Sequence, residues 1–448
     1  MPAPGALGGG VLLAHGIGGR QDLPIPFSAA LTGAILALLV SFVALGALWT
    51  EPRLGGALAR TRPLSALLQR AVSSTAWPWV WRLAGLAAAT YFCVGLLFGP
   101  DDVDNPTAGV FYVVFWVGLV PLSLLFGPVW RALNPLRTLH LLACAALGRD
   151  PRLGLRRLPP GLGYWPAAAG IFAFVWLELV APERATLPVI TFWLAAYTLA
   201  MLAGAVVFGS DWFDRGDAFE AYSTLVGSLA PVVRRRDGVV TWRNSLDGMA
   251  GLRPAPGLTV LVVVLLGSTM YDSLSNAPIW VRFVQESALP SPVMGTAGLV
   301  TVIGLVLAAY LGTTALAGRW GEAEPGTTAG ELAHAIVPIA VGYVVAHYYT
   351  LFLLEGQRTL ALLSDPLGTG ADWLGTAGWT LSAAGTTPAG IAMLQVTVIV
   401  VGHVLGTVLA HDRALALFPR RAAVLGQIPL LLLMVAYTVV GLLLLFAA

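Results

Sequence analysis

"FSAALTGAILALLVSFVALGALWT", residues 27–50, runs for 24 positions without a charged side chain. As a helix it reaches about 36 Å, enough to cross the roughly 30 Å hydrocarbon core of a bilayer. It ends against Glu51, Pro52 and Arg53, which stop it at a polar boundary. Nine further segments have the same character, at 82–99, 108–130, 162–181, 186–209, 257–276, 292–316, 331–354, 389–412 and 426–446. Apolar residues make up 57% of the chain, charged residues only 11%, and mean hydropathy is +0.80. Those values exclude a soluble globular domain and require a polytopic membrane protein.

Arginine placement tests this map independently. All 25 basic residues are arginine, and ten crossings with the N-terminus outside leave only Arg20, Arg184, Arg282 and Arg358 on the outer side. The other 21 fall in inner loops, as the positive-inside rule requires, and one helix more or fewer would spoil the split. The fold expected is therefore an all-α polytopic membrane protein with about ten transmembrane helices and both termini outside. The outer side is acidic, with Asp101, Asp102, Asp104, Glu286, Asp365 and Asp372.

Residues 1–26 form a glycine-rich extracytoplasmic segment, and 27–448 a single helical membrane domain with an inner loop at 210–256 and an outer loop at 355–388. In the inner loop, Arg234 to Arg236 belong against anionic headgroups. The cluster is too short and too close to the membrane for a nucleic-acid partner. "RALNPLRTLHLLACAALGR", residues 131–149, alternates arginine with apolar residues and reads as an interfacial helix with His140 on its polar face. The outer loop is long, apolar and rich in Gly and Pro, as a re-entrant segment or a lid over a cavity would be. Cys93 and Cys144 lack a CxxC pattern and read as buried fillers.

No soluble-enzyme signature is present: no Walker loop, HExxH, HxH pair or GxSxG. Chemistry must therefore come from ionisable groups at membrane depth, which are costly to bury and mark functional sites. Four of the six histidines lie in the eighth and ninth segments, His334 and His347 in one, His403 and His411 in the other. Packed as antiparallel neighbours, these segments bring His334 level with His411, Tyr343 level with His403, and His347 level with Gln395 and Thr397. Pro338 takes the helical donor from the carbonyl of His334. Toward the outside, Glu178, Asp272 and Glu355 reach similar depth, and His15 comes from the same side.

Two chemistries fit these groups. In the first, His15, His347 and His403 are ligands of zinc or copper, Asp272, Glu178 and Tyr343 supply acid–base catalysis, and an outward-opening cavity takes a small hydrophobic substrate. In the second, the histidines form a ladder of proton carriers in a proton-coupled transporter. His15 itself reads either as a cap over the outer helix ends or, with Ala14 preceding a signal-peptide cut, as a mature N-terminus suited to copper.

The stretches "AHGIGGRQDLPIP", "FYVVFWVGLVPLSLLFGPVW", "AHYYTLFLLEGQ", "LSDPLGTG" and "GHVLGTVLAHDRAL" resemble an actinobacterial family of multi-pass membrane proteins labelled fenitrothion hydrolase. The resemblance covers nearly the whole chain. It implies hydrolysis of an organophosphorus triester with release of a nitrophenol, and brings no residue roles with it. The partners expected are membrane lipids of the cell membrane and a small hydrophobic ester; the oligomeric state stays open.

Overall fold

The computed structural model describes residues 22–446 apart from 57, 58, 236, 325, 383, 384 and 386. Among the described residues, ten helices are long and apolar enough to cross a membrane. In chain order they are α1 Phe27–Leu48, α2 Ala76–Phe98, α3 Thr107–Phe126, α4 Pro160–Leu179 and α5 Leu187–Phe208. After the short α6, Ala218–Gly227, follow α7 Leu258–Ser275, α8 Ser291–Trp320, α9 Thr328–Leu362, α10 Pro388–Leu417 and α11 Ala423–Leu445. The protein is thus a multi-pass helical membrane protein whose outer helix faces meet lipid. Two boundaries depart most from the hydropathy reading. Helix α2 begins six residues earlier, at Ala76, and α9 continues eight residues later, to Leu362.

The bundle is built around α7 and α9, each with 72% of its apolar window buried. Helix α7 packs on α4, α8, α9 and α11, while α1 lies against α10 and α11. The most extensive contact joins α9 and α10, and small residues make it possible. A side-chain carbon at Gly342 would stand 2.6 Å from the carbonyl oxygen of Val398, and one at Gly402 2.6 Å from that of Pro338. The antiparallel pairing expected of these helices is therefore present. The start of α9 is irregular: Ala333–Ile336 form a 3₁₀ turn, and Pro338 sits in the first turn of the α-helix from Val337. Proline is tolerated there because a first-turn amide has no helical acceptor. Helix α3 carries a π-helical stretch, Val110–Val117, packed on α9.

Loop 210–256 is partly built into the bundle. It contains α6, almost wholly buried against α3, α4 and the chain between α3 and α4. Asp217 caps α6 by accepting from the amide of Glu220 at 2.8 Å. The Asn134 amide donates to Asp217 at 3.0 Å, and Arg137 grips both oxygens of Glu220 at 2.6 and 3.0 Å while also reaching Asp214. Burial pushes the Glu220 carboxyl up to about 7, against the pull of Arg137. The rest of the loop adds two short strands, β2 Val232–Arg234 and β3 Val240–Trp242, and β1 Arg62–Pro63 from the connection between α1 and α2 joins them in antiparallel order β1-β3-β2. This sheet, absent from the all-α reading, satisfies loop backbone at the arginine-rich end. Arg235 pairs with Asp237 at 2.8 Å, and Arg236 lies outside the described residues.

His140 is not on a polar face. It is buried against Phe213, with Nε2 3.6 Å from Cys144 Sγ. Both cysteines are free thiols, and Cys93 is exposed rather than buried. Loop 355–388 begins as the last turns of α9 and then folds over the end of α2. There Tyr91 donates to the Leu363 carbonyl, and Pro366 packs on Gly95 and Gly99.

Two stability predictions follow from this packing. Gly402→Ala should destabilise by about 1–3 kcal/mol by forcing α9 and α10 apart, whereas Gly304→Ala, with nothing within 4 Å, should leave the thermal midpoint unchanged or raise it. Arg137→Met should cost about 3–5 kcal/mol because it strands buried Glu220, and adding Glu220→Met should recover most of that loss. Thermal unfolding in detergent measures both; an additive double variant would show that the pair is not coupled.

Candidate functional site

The last turns of α4 and α7 and the middle of α9 converge on one buried cluster. Glu178 comes from "WLEL", Asp272 and Ser273 from "MYDS", and Tyr343, His347 and Tyr348 from "GYVVAHYY". Tyr343 and His347 are one helical turn apart and so share a face. The Tyr348 hydroxyl lies 2.8 Å from Asp272 Oδ2 and 3.2 Å from Glu178 Oε1. His347 Nε2 is 2.9 Å from the same Asp272 Oδ2. From its other nitrogen the chain continues: His347 Nδ1 is 3.5 Å from Ser273 Oγ, which is 2.6 Å from the Tyr343 hydroxyl. The Asn276 amide donates to the Asp272 carbonyl at 2.9 Å and fixes the end of α7.

Exposure is 8% for Glu178, 2% for Asp272, 4% for His347 and 3% for Tyr348. Two carboxyl groups are thereby removed from water together. One phenolic hydrogen cannot serve two ionised carboxylates at once. A proton on one of the carboxyls would satisfy the second short contact. Beside it lies a cavity of about 10 Å³ lined by Trp116, Glu178, Ser268, Thr269, Val344 and Tyr348, room for about one water.

Of the residues expected at a site, Glu178, Asp272, Tyr343 and His347 are brought together. His403 makes separate contacts: Nδ1 donates to the Ile399 carbonyl at 2.8 Å, and the ring tilts against Tyr437 at 6.3 Å. His334 is 2.9 Å from the Glu331 carbonyl, while His411 Nδ1 is 2.8 Å from Gln427 Oε1 and its Nε2 2.8 Å from the Trp49 carbonyl. Those two histidines thus serve different partners rather than each other. The Gln395 amide reaches the Ala346 carbonyl beside His347, Thr397 is exposed, and Glu355 lies 3.9 Å from Arg358, away from the cluster. His15 and Ala14 lie outside the described residues. Among the described residues no three His, Cys, Asp or Glu side chains stand together as a metal would need.

Sequence reading did not single out Tyr348 or Ser273. Their signal was adjacency, since each follows directly a residue already marked by its depth, His347 and Asp272.

The fold and cluster together define a polytopic helical membrane protein with a buried acid–phenol–imidazole centre. No family model, curated protein or solved structure matches this chain.

The shared proton is directly observable. At neutral pH the infrared spectrum should contain the C=O stretch of a neutral carboxylic acid, and Asp272→Asn or Glu178→Gln should remove it. Tyr348→Phe should shift the band, because one hydrogen-bond partner is lost. A wild-type spectrum in which every carboxyl is ionised would move the proton to His347 and leave both acids charged.

Proposed function

We propose that this protein is a proton-coupled transporter of the cell membrane in which Glu178, Tyr348, Asp272 and His347 bind and pass the coupling proton. The observation carrying this reading is the meeting of two buried carboxyl groups, from α4 and α7, on a single hydroxyl of α9. Ionisable groups at membrane depth are expensive to bury and mark proton and ion pathways. The water-sized cavity supports it further, since a proton needs no larger space. The arginine-rich loops face the cytoplasm and both termini lie outside, so that the acids occupy the outer ends of α4 and α7. Residues 27–448 act as one membrane domain.

A second reading, hydrolysis of a small hydrophobic organophosphorus ester, draws on the sequence resemblance and on one feature of the same cluster. Ser273, His347 and Asp272 stand in the order of nucleophile, base and orienting acid, with contacts of 3.5 and 2.9 Å. Ser273 Oγ would bond to phosphorus as the nitrophenolate leaves, with His347 passing the serine proton to the phenolate; water deprotonated by His347 would then displace serine from phosphorus, and that proton would return to Ser273 Oγ.

Sealed proteoliposomes loaded with a pH-sensitive dye separate the two. With the membrane potential clamped, an imposed pH gradient should collapse at least tenfold faster than in empty vesicles, and Asp272→Asn and Glu178→Gln should abolish the difference. Release of nitrophenol from fenitrothion that depends on Ser273, with no proton flux, would instead establish the hydrolase.

A further inference from the structure

We propose that His403 is the inner terminus of the proton chain, accepting on Nε2 the proton that leaves the Glu178–Asp272 pair. The proposal rests on the transporter reading and extends it from a binding site to a direction of travel. Its ground is the hydrogen-bond state of the ring. The Nδ1–H of His403 is committed to the Ile399 carbonyl at 2.8 Å, so the lone pair is on Nε2. That atom is fully buried and has no hydrogen-bond partner, in a residue 1% exposed. A base held bare in the core is costly as pure structure, because an apolar side chain would fill the same space without an unmet acceptor.

What surrounds it indicates where the proton comes from. Helix α1, packed on α10, has no titratable residue between Phe27 and Leu48. Helix α11 offers one titratable group, Tyr437, whose ring tilts against His403 and whose phenol lies within electrostatic reach of Tyr343. Helix α9 offers Tyr343, with His347 one turn toward the acids and His334 in the 3₁₀ turn at the opposite end. Helix α7 contributes Asp272 through Ser273. From His347 to Tyr343 the path moves about 6 Å along α9, away from the acids and toward the arginine-rich end.

The transfer balances atom by atom. The proton leaves Asp272 for His347 Nε2; His347 gives its Nδ1 proton to Ser273 Oγ, whose own proton passes to the Tyr343 oxygen. Tyr343 releases its original hydroxyl proton to His403 Nε2, with the Tyr437 phenol beside it. One N–H bond forms at His403, one O–H bond is lost at Asp272, and Ser273 and Tyr343 end as they began.

The test uses full-length protein in the dye-loaded vesicles, comparing wild type with His403→Gln, His403→Asn and Asp272→Asn. Asparagine retains an amide donor for the Ile399 carbonyl, so a merely structural histidine would be replaced by it without loss. The expected result is at least a tenfold loss of flux in both His403 variants, with wild-type melting and the carboxylic-acid infrared band intact. Wild-type flux in either, with Asp272→Asn inactive, overturns the role of His403 and leaves the transporter standing. Flux unchanged in Asp272→Asn overturns the transporter and this proposal with it. Histidine-selective ¹⁵N spectra of the wild type provide a check independent of any variant. A ring with bare Nε2 must gain a proton as pH falls, and its absence overturns the proposal.

Discussion

Burying Glu178 and Asp272 side by side is the constraint on which the rest of this structure depends. Either acid alone, ionised in an apolar bundle, would be costly enough to pull its helix toward water or stay neutral. Placed on either side of the Tyr348 hydroxyl, with His347 against one of them, they hold α4, α7 and α9 together. Lipid tails offer no hydrophobic preference for helix over helix, so such polar contacts and close small-residue packing decide which helices meet. Helix α9 uses both devices on different faces, the acids toward α4 and α7 and glycine contacts toward α10.

A second buried acidic group, around α6, shows by contrast what the first is for. Asp217 and Glu220 are as deeply buried as Asp272, yet Arg137, Asn134 and a helix-start amide satisfy them. That network is compensated by a permanent cation and anchors the loop that carries it. Among the described residues the Glu178–Asp272 pair meets a phenol and an imidazole. Partners that can themselves gain or lose a proton leave the total charge of the cluster adjustable, which a structural ion pair does not.

The ten crossings were legible in the sequence because hydropathy over about 20 residues is a strong signal, and the start of α2 and the end of α9 moved most. Helix α6 was not legible. It is too short to register as a span, and its capping acids make it look like solvated loop until Asn134 and Arg137 are seen to meet them. Depth alone pointed to four of the six residues of the cluster: Glu178, Asp272, Tyr343 and His347. Depth does not specify facing, however. His403 is level with Tyr343 but belongs to another helix, with its ring turned to Tyr437 instead of to His347. Tyr348 escaped notice because a tyrosine in an apolar run reads as packing until two carboxyl oxygens are found at its hydroxyl.

A cluster this enclosed can exchange with water only if neighbouring helices shift, and regular hydrogen bonding is interrupted in α3, beside it, and at the start of α9, which carries His347 and Tyr348. Helix α3 is π-helical from Val110 to Val117, and Trp116 within that stretch lines the cavity shared by Glu178 and Tyr348. Helix α9 changes from 3₁₀ to α just before Pro338. A π-turn has a wider backbone and one residue more than its α-helical equivalent, so it can pass into α-helix by a local change in register without unfolding the span. Trp116 moving with that register would widen the space beside Glu178 while Asp272, Tyr348 and His347 keep their contacts. The irregular stretch of α3 therefore lies where a small backbone change has the largest effect on access to the acids.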